Sequence, residues 1–300
     1  PARQAQLLTA LEQPAEPAST FSLTAPFGAD QSKCQYAAAF ERIQQYIHAG
    51  DCYQINLAQR FSATFSGDPL EAYTRLRERS PTPFSAYLEI PGGALLSLSP
   101  ERFIEVREGR VETRPIKGTR PRGQSADEDH ALAQELLGCN KDRAENLMIV
   151  DLLRNDLGRS CQPGSIRVPE LFSLESYPNV HHLVSSVTGQ LRDDCDAIDL
   201  LMRAFPGGSI TGAPKIRAMQ IIEELEPVRR SLYCGSVGYL GCEGQMDFNI
   251  AIRSLICHGQ RIHCWGGGGI VADSVMELEY QETLTKVGNL LNTLQPACPF

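Results

Sequence analysis

Three hundred residues, 42% of them apolar and 21% charged, allow one large domain or two ordinary ones with a substantial core, and exclude a disordered or fibrous chain. A net charge of −8 argues against nucleic acid or an anionic membrane as the main partner, and no apolar run reaches membrane-spanning length. Ten cysteines without a CxxC pair or zinc spacing read as reduced thiols; with no signal peptide in sight, they predict a cytoplasmic protein.

The first stretch, PARQAQLLTALEQPAEPAST, is rich in Ala, Pro and Gln and reads as a linker following something upstream. Residues 1–30 are therefore expected to be a lead, 31–295 the folded domain and 296–300 a tail. Tyr36, Phe40, Ile43 and Ile47 recur at helical spacing, with Gly50 as the stop. In YQINLAQRFSATF, Ile55, Leu57 and Phe61 alternate against Gln54, Asn56 and Arg60, which predicts an amphipathic strand. Asp68 and Pro69 open a helix ending near Ser80, and FSAYLEI, GALLSLS and RFIEVRE follow as closely spaced strands of an antiparallel sheet.

Next comes RPIKGTRPRG, residues 114–123, where Arg114, Lys117, Arg120 and Arg122 crowd a segment that its prolines keep from being a helix; it reads as a stiff basic turn. Ser125 and Glu128 form a capping box for a helix to about Leu137, and KDRAENLMIVDLLRNDLG predicts a second, buried helix ending at Gly158. Strands near 166–170 and 180–190, a helix near 196–204 and the loop PGGSITGAPK lead into the helix IRAMQIIEELE. CGSVGYLG, MDFNIAIRSLI and RIHCWG predict three more strands. GGGGIVADS predicts a turn into a helix over 275–294, with Ser274 and Glu277 as its capping box. Strand-rich stretches interleaved with long helices indicate an α+β fold.

Two helices carry acids at i, i+3, which puts both carboxylates on one face: Asp142 with Glu145, and Glu279 with Glu282. Four oxygen donors without a nearby His or Cys match a hard ion, Mg²⁺ first, but local ion pairs of Lys141 with Glu145 and Glu282 with Lys286 account for the same spacing equally well. PGGSITGAPK fails as a phosphate loop, since Ala-Pro stands where Lys-Ser or Lys-Thr is needed. Its free N–H groups still suit a carboxylate. Lys117, set among like charges, is either a solvated cation or an amine whose charged form is disfavoured, with Arg114 and Arg120 as the groups acting on it.

Taken as an ordered set, SPERF, RPIKGTRPRG, KDRAENLMIVDLLRNDLG, HHLVSSV, PGGSITGAPK, MDFNIAIRSL and GGGGIVADS…EYQET resemble the chorismate-utilising enzymes over residues 32 to 294. Lys117 makes the chain look most like the branch that aminates chorismate at C4, because anthranilate-forming relatives typically carry alanine there. The resemblance implies two stacked, mainly antiparallel sheets flanked by helices in α/β/β/α layers, with the site in a cleft between them. It implies Glu145 and Glu282 as direct Mg²⁺ ligands and Asp142 and Glu279 as ligands through water. It also implies Arg253, Tyr239 and the Gly267, Gly268 and Gly269 amides for the enolpyruvyl carboxylate, and Thr119, Thr211 and Gly212 as lining residues. His182 would stand near the ring carboxylate, Glu101 would be the general acid and Lys117 a covalent nucleophile. Gln54 stands where water-using relatives carry a lysine, which disfavours water as nucleophile. Ammonia would come from a separate glutamine amidotransferase subunit, since no glutaminase motif is present. Competing readings are an anthranilate-forming enzyme, a non-catalytic anion-binding subunit and a Mg²⁺-dependent phosphoryl transferase.

Overall fold

A computed structural model describes residues 2–12, 19–177 and 180–295. The elements begin with α1 (Ala2–Glu12), β1 (Ser22–Ala29), α2 (Lys33–His48), β2 (Gln54–Ser66), α3 (Pro69–Arg79), β3 (Phe84–Ile90), β4 (Gly93–Ser99), β5 (Arg102–Arg107), β6 (Arg110–Arg114) and β7 (Ile116–Pro121). There follow α4 (Ala126–Gly138), α5 (Asn140–Gly158), β8 (Arg167–Ser176), β9 (Val180–Gln190), α6 (Ala197–Ala204), β10 (Gly212–Ala213) and α7 (Lys215–Leu225). The chain continues with β11 (Gly238–Leu240), β12 (Met246–Asn249), β13 (Ser254–His258), β14 (Arg261–Ile270) and α8 (Met276–Leu294).

The strands form two antiparallel sheets of seven. One runs β1-β2-β14-β13-β4-β3 with β10 on β2, the other β11-β12-β5-β6-β9-β7 with β8 on β9. Helices α2, α3, α7 and α8 cover the first sheet, and α4 and α5 the second. One core cluster joins Ala58 and Trp265 of the first sheet to Phe103, Ile104, Val106 and Val187 of the second and to Ile149, Val150 and Leu153 of α5. The α+β architecture is the one expected. No helix among the described residues is long and apolar enough to cross a membrane.

Several local expectations are corrected. The lead is not linker throughout, because β1 pairs with β2 (Ser22 opposite Ser66, Ala29 opposite Phe61) and α1 precedes it; the tail lies outside the described residues. The basic stretch is no turn: its middle is β7, paired with β9. Prolines bar a helix but not an edge strand, and β7 is one. Helix α5 is amphipathic rather than buried, leaving Leu147 47% exposed. The glycine run is the end of the inner strand β14, with Gly268 opposite Leu57 and Gly269 opposite Asn56. Ser274 does not cap α8: Val275 holds that position, and the Ser274 hydroxyl donates to Glu279 instead.

The stretch MDFNIAIRSLI, expected as one strand, splits into β12 in one sheet and β13 in the other. The chain changes sheet between them, as it also does between β4 and β5. The two crossings run side by side: Ile250 N–H donates to Glu101 O at 3.0 Å, Leu98 N–H to Arg253 O at 3.0 Å, and Ser99 Oγ to Ile250 O at 2.6 Å. Glu101 lies on one crossing and Arg253 on the other. Period-two alternation cannot show a change of sheet, because both halves keep the strand pattern.

Candidate active site

Glu101 and Arg253 owe their placement to these crossings. Glu101 is 6% exposed, and its Oε1 accepts the Ser209 hydroxyl at 2.9 Å. Burial pushes its carboxyl above the usual carboxylate range, against the opposing pull of Lys117, the Ser209 hydroxyl, the Ile116 N–H and Lys286. The adjacent Arg102 does not pair with Glu101 but turns to Asp247, Glu105 and Glu112. Arg253 adopts φ 50° and is desolvated, yet no ion pair or hydrogen bond reaches its guanidinium among the described residues. A partly buried guanidinium with no ion pair or hydrogen bond of its own, and only the more distant charge of Glu282 acting on it, is suited to an anion from outside the chain.

Lys117 projects from β7, where Gly118 at φ 87° lets the strand press against α5: a Cβ there would come within 3.0 Å of Asp142. Its amine donates to Ser209 O at 3.2 Å, and the carboxylates that feel its charge are Glu101, Glu145 and Glu282. The arginines expected to act on it are engaged elsewhere. Arg114 pairs with Glu170 at 2.8 Å and with Glu175, and Arg120 with Glu135 at 2.9 Å and Asp142 at 3.2 Å.

The four helix acids come together from α5 and α8. Lys141 bridges the helices, 3.9 Å from Glu145 and 3.6 Å from Glu279, while Lys286 pairs with Glu282 at 2.5 Å. Burial raises the Glu145 carboxyl, and the charges of Glu279 and Asp142 add to that while Lys117 and Lys141 oppose it. For Glu282 burial acts the same way, but Lys286, Lys141 and Lys117 outweigh it and hold the carboxyl below its ordinary range. Thus both local ion pairs are formed, and lysines supply the positive charge. No three of these side chains converge into a ligating cluster among the described residues. The donor set itself, carboxylate oxygens from two facing helices, is chemistry that fits a hard cation.

The floor is glycine because α8 and β2 both press on it: a Cβ at Gly266 would lie 2.6 Å from Val287 of α8, one at Gly267 2.4 Å from Leu57 O, one at Gly269 2.3 Å from Gln54 Nε2, and one at Gly268 3.2 Å from Glu279 Oε2. Lys286 also donates to Gly267 O at 3.0 Å. Gln54 is fully buried, and neither amide atom of its side chain has a hydrogen-bond partner. Thr119 Oγ1 lies 2.9 Å from His182 Nδ1, and burial, with Arg253 second, pushes His182 down to about 4, so it is neutral near pH 7. Thr211 is buried and turns its hydroxyl back to Gly207 O at 3.1 Å, bracing its own loop; Gly212, at φ 138°, pairs with Ile55. Tyr239, on the edge strand β11, is 57% exposed and makes no hydrogen bond to the residues above.

Ser209 was not singled out from the sequence, although its motif was; one serine inside a glycine loop carries no signal of its contacts. A cavity of about 450 Å³ opens on the other side of this loop, sharing Ile210 and Thr211 but neither Lys117 nor Glu101.

Comparison with known proteins places the whole chain rather than its individual residues. A family model described as chorismate binding enzyme matches residues 1–292. Aminodeoxychorismate synthase component 1 of Klebsiella aerogenes is 54% identical over 97% of this chain and 65% of its own length. Anthranilate synthase component 1 of Aquifex aeolicus is 46% identical over 89% and 54%. Among solved structures, anthranilate synthase component I of Streptococcus pneumoniae superposes with a TM-score of 0.87 at 37% identity, covering 97% of this chain and 65% of that one. The chain thus spans less than two thirds of the length of each of these relatives. With a family model matched almost end to end and a fold shared with its solved members, the chain belongs to the chorismate binding enzyme family.

Proposed function

We propose that this chain is the chorismate-aminating component that forms 4-amino-4-deoxychorismate from chorismate and ammonia, on the way to p-aminobenzoate and folate. The observation that carries the reading is a lysine amine, Lys117, held by the Ser209 carbonyl beside a buried, proton-retaining Glu101. Glu101 gives its proton to the C4 hydroxyl, which leaves as water, while the Lys117 amine bonds to C2 and both conjugated ring double bonds shift, to C1–C6 and C4–C5. Ammonia then bonds to C4, both double bonds shift back to C5–C6 and C1–C2, and the C2–N bond to Lys117 breaks as the proton released by the new amine returns to Glu101. Chorismate and ammonia in, aminodeoxychorismate and water out, is a balanced exchange.

Arg253, which makes no ion pair or hydrogen bond of its own among the described residues, would take the enolpyruvyl carboxylate, and the family resemblance assigns Tyr239 and the Gly267–Gly269 amides to the same group. Gln54 offers an unpaired amide but no base, so water is not activated. Glu145 and Glu282 would hold Mg²⁺ directly, and Asp142 and Glu279 through water. The ion would fix the ring carboxylate and supply positive charge to the ring. Ammonia is taken to come from a separate glutamine amidotransferase, a reading supported by the "component 1" in the relatives' names. Reduced cysteines fit a cytoplasmic setting; every described cysteine is free.

The nearest alternative is anthranilate formation, favoured by relatives such as the Aquifex protein and opposed by Lys117. Product mass spectrometry with chorismate, ammonium and Mg²⁺ decides between them. The expected product is aminodeoxychorismate, and Lys117→Ala removes both product and covalent adduct. Fluorescent anthranilate, or full ammonia-dependent activity in the alanine variant, would sink the reading.

A further inference from the structure

Glu101, on the crossing between β4 and β5, and Lys117, on β7, both touch one residue of the loop between α6 and α7. Ser209 sits in a short 3₁₀ turn, Gly208–Ile210, and is 5% exposed. Its hydroxyl donates to Glu101 Oε1 at 2.9 Å, and its carbonyl accepts from the Lys117 amine at 3.2 Å. The Ile116 N–H, on the residue before Lys117, acts in the same direction as the Ser209 hydroxyl and lowers the proton affinity of Glu101.

The turn is braced on every side. A Cβ at Gly208 would meet Leu152 of α5 at 2.5 Å, so the backbone lies flush on that helix. Lys215 holds Asp156 at 2.7 Å and Ala204 O at 2.9 Å, Arg230 donates to Ile210 O at 2.9 Å, and Thr211 Oγ1 to Gly207 O at 3.1 Å. A hydroxyl held this firmly is a fixed dipole rather than a rotor.

We infer that Ser209 is a positioning residue that couples the proton donor to the amine nucleophile, fixing which Glu101 oxygen carries the proton and where the Lys117 lone pair points. The inference rests on the amination reading above. A serine hydroxyl has one proton to give, and giving it to Oε1 leaves the acid's own proton on Oε2. When that proton goes to the departing hydroxyl, the new carboxylate meets a donor already in place, the Ser209 O–H, with no reorganisation. On Lys117, one N–H is spent on the Ser209 carbonyl, which orients the remaining valences of the amine.

The test is the pH dependence of ammonia-dependent chorismate consumption, with Mg²⁺, in wild type and in Ser209→Ala, Ser209→Cys and Ser209→Thr. Removing a hydrogen bond to a charged group predicts an about 10- to 100-fold fall in kcat for Ser209→Ala, with little change in KM. The Ser209 hydroxyl stabilises the charged form of Glu101, so its loss moves the basic limb of kcat/KM to higher pH. Ser209→Cys, which keeps the volume but donates weakly, shifts the limb in the same direction, so the test does not hang on the folding of the alanine variant. Ser209→Thr, which keeps the hydroxyl, restores both limb and rate. A fall in rate with the limb unmoved in both the alanine and cysteine variants means that Ser209 only packs, and overturns the inference. A wild-type chain that leaves chorismate untouched at every pH is a different result, sinking the amination reading and the coupling with it.

Discussion

Glu101 and the acid pairs on α5 and α8 are the same kind of side chain put to opposite uses. Glu101 is buried at a sheet crossing, with a neutral hydroxyl as its close partner, and burial raises its proton affinity. Glu282 stands half-exposed in the cleft with Lys286 at 2.5 Å and keeps its charge to lower pH than an ordinary glutamate. Glu145 lies between, raised by burial and its acidic neighbours while Lys117 and Lys141 oppose the shift. What separates a proton donor from a charge holder here is the partner and the solvent, not the residue type.

The largest effect that could break this contrast is expected at Glu101. Glu101→Gln should lower kcat by about 10²- to 10⁴-fold, the usual range for a general acid, and abolish the basic limb of the pH profile. The sign follows from the raised pKa: the acid form persists beyond the ordinary glutamate range, and activity falls as pH rises through the folded-state value. A profile unchanged in Glu101→Gln would leave the charge-holder role as the only one for any acid here.

Next in size, Glu145→Gln and Glu282→Gln should raise the Mg²⁺ concentration needed for half-maximal rate much more than they alter the pH limb. Asp142→Asn and Glu279→Gln, which the proposal puts one water away from the ion, should cost about 10- to 100-fold in that requirement. Titrating Mg²⁺ against rate for all four variants separates the two groups, and equal effects on the limb would erase the contrast. Gly268→Ala is expected to do less: its Cβ comes 3.2 Å from Glu279 Oε2, a contact that a small side-chain shift relieves, so the Mg²⁺ titration should move modestly and in the same direction.

The smallest effect is on stability. A carboxyl whose folded pKa lies above its unfolded value loses stability as pH rises through that window, because the unfolded chain ionises first. Glu101→Gln removes the loss, so the inactive variant should melt at a higher temperature than wild type near pH 7 and at the same temperature near pH 4, read by thermal unfolding at both.

Much of the architecture was legible locally. Helices α2, α3, α6 and α8 appear within a residue or two of their expected ranges, because apolar periodicity and stop signals act within one turn. The acid pairs were legible for the same reason: i, i+3 spacing on a helix fixes a shared face whatever surrounds it. The ordered motifs were enough to indicate the family. Three things were not legible. The glycine run looked like a turn because its need for glycine comes from β2 and α8 lying against the strand, contacts between segments. MDFNIAIRSLI looked like one strand because a change of sheet leaves no mark on alternation. Lys117 looked surrounded by arginines, but strand pairing and distant glutamates take Arg114 and Arg120 away and leave carboxylates around the amine.

Sequence alone therefore determined the α+β class, the helix faces carrying the acids, the family motifs and the presence of a lysine at 117, all of which depend on neighbours a few residues apart. Tertiary structure decided which charges face which: that Glu101 meets Ser209 across 108 residues, that Lys141 reaches from α5 to Glu279, and that Arg253 has no ion pair among the described residues, only the more distant charge of Glu282. Those contacts set proton affinity and charge balance through burial and Coulomb interaction, which depend on distance in space and not on position along the chain.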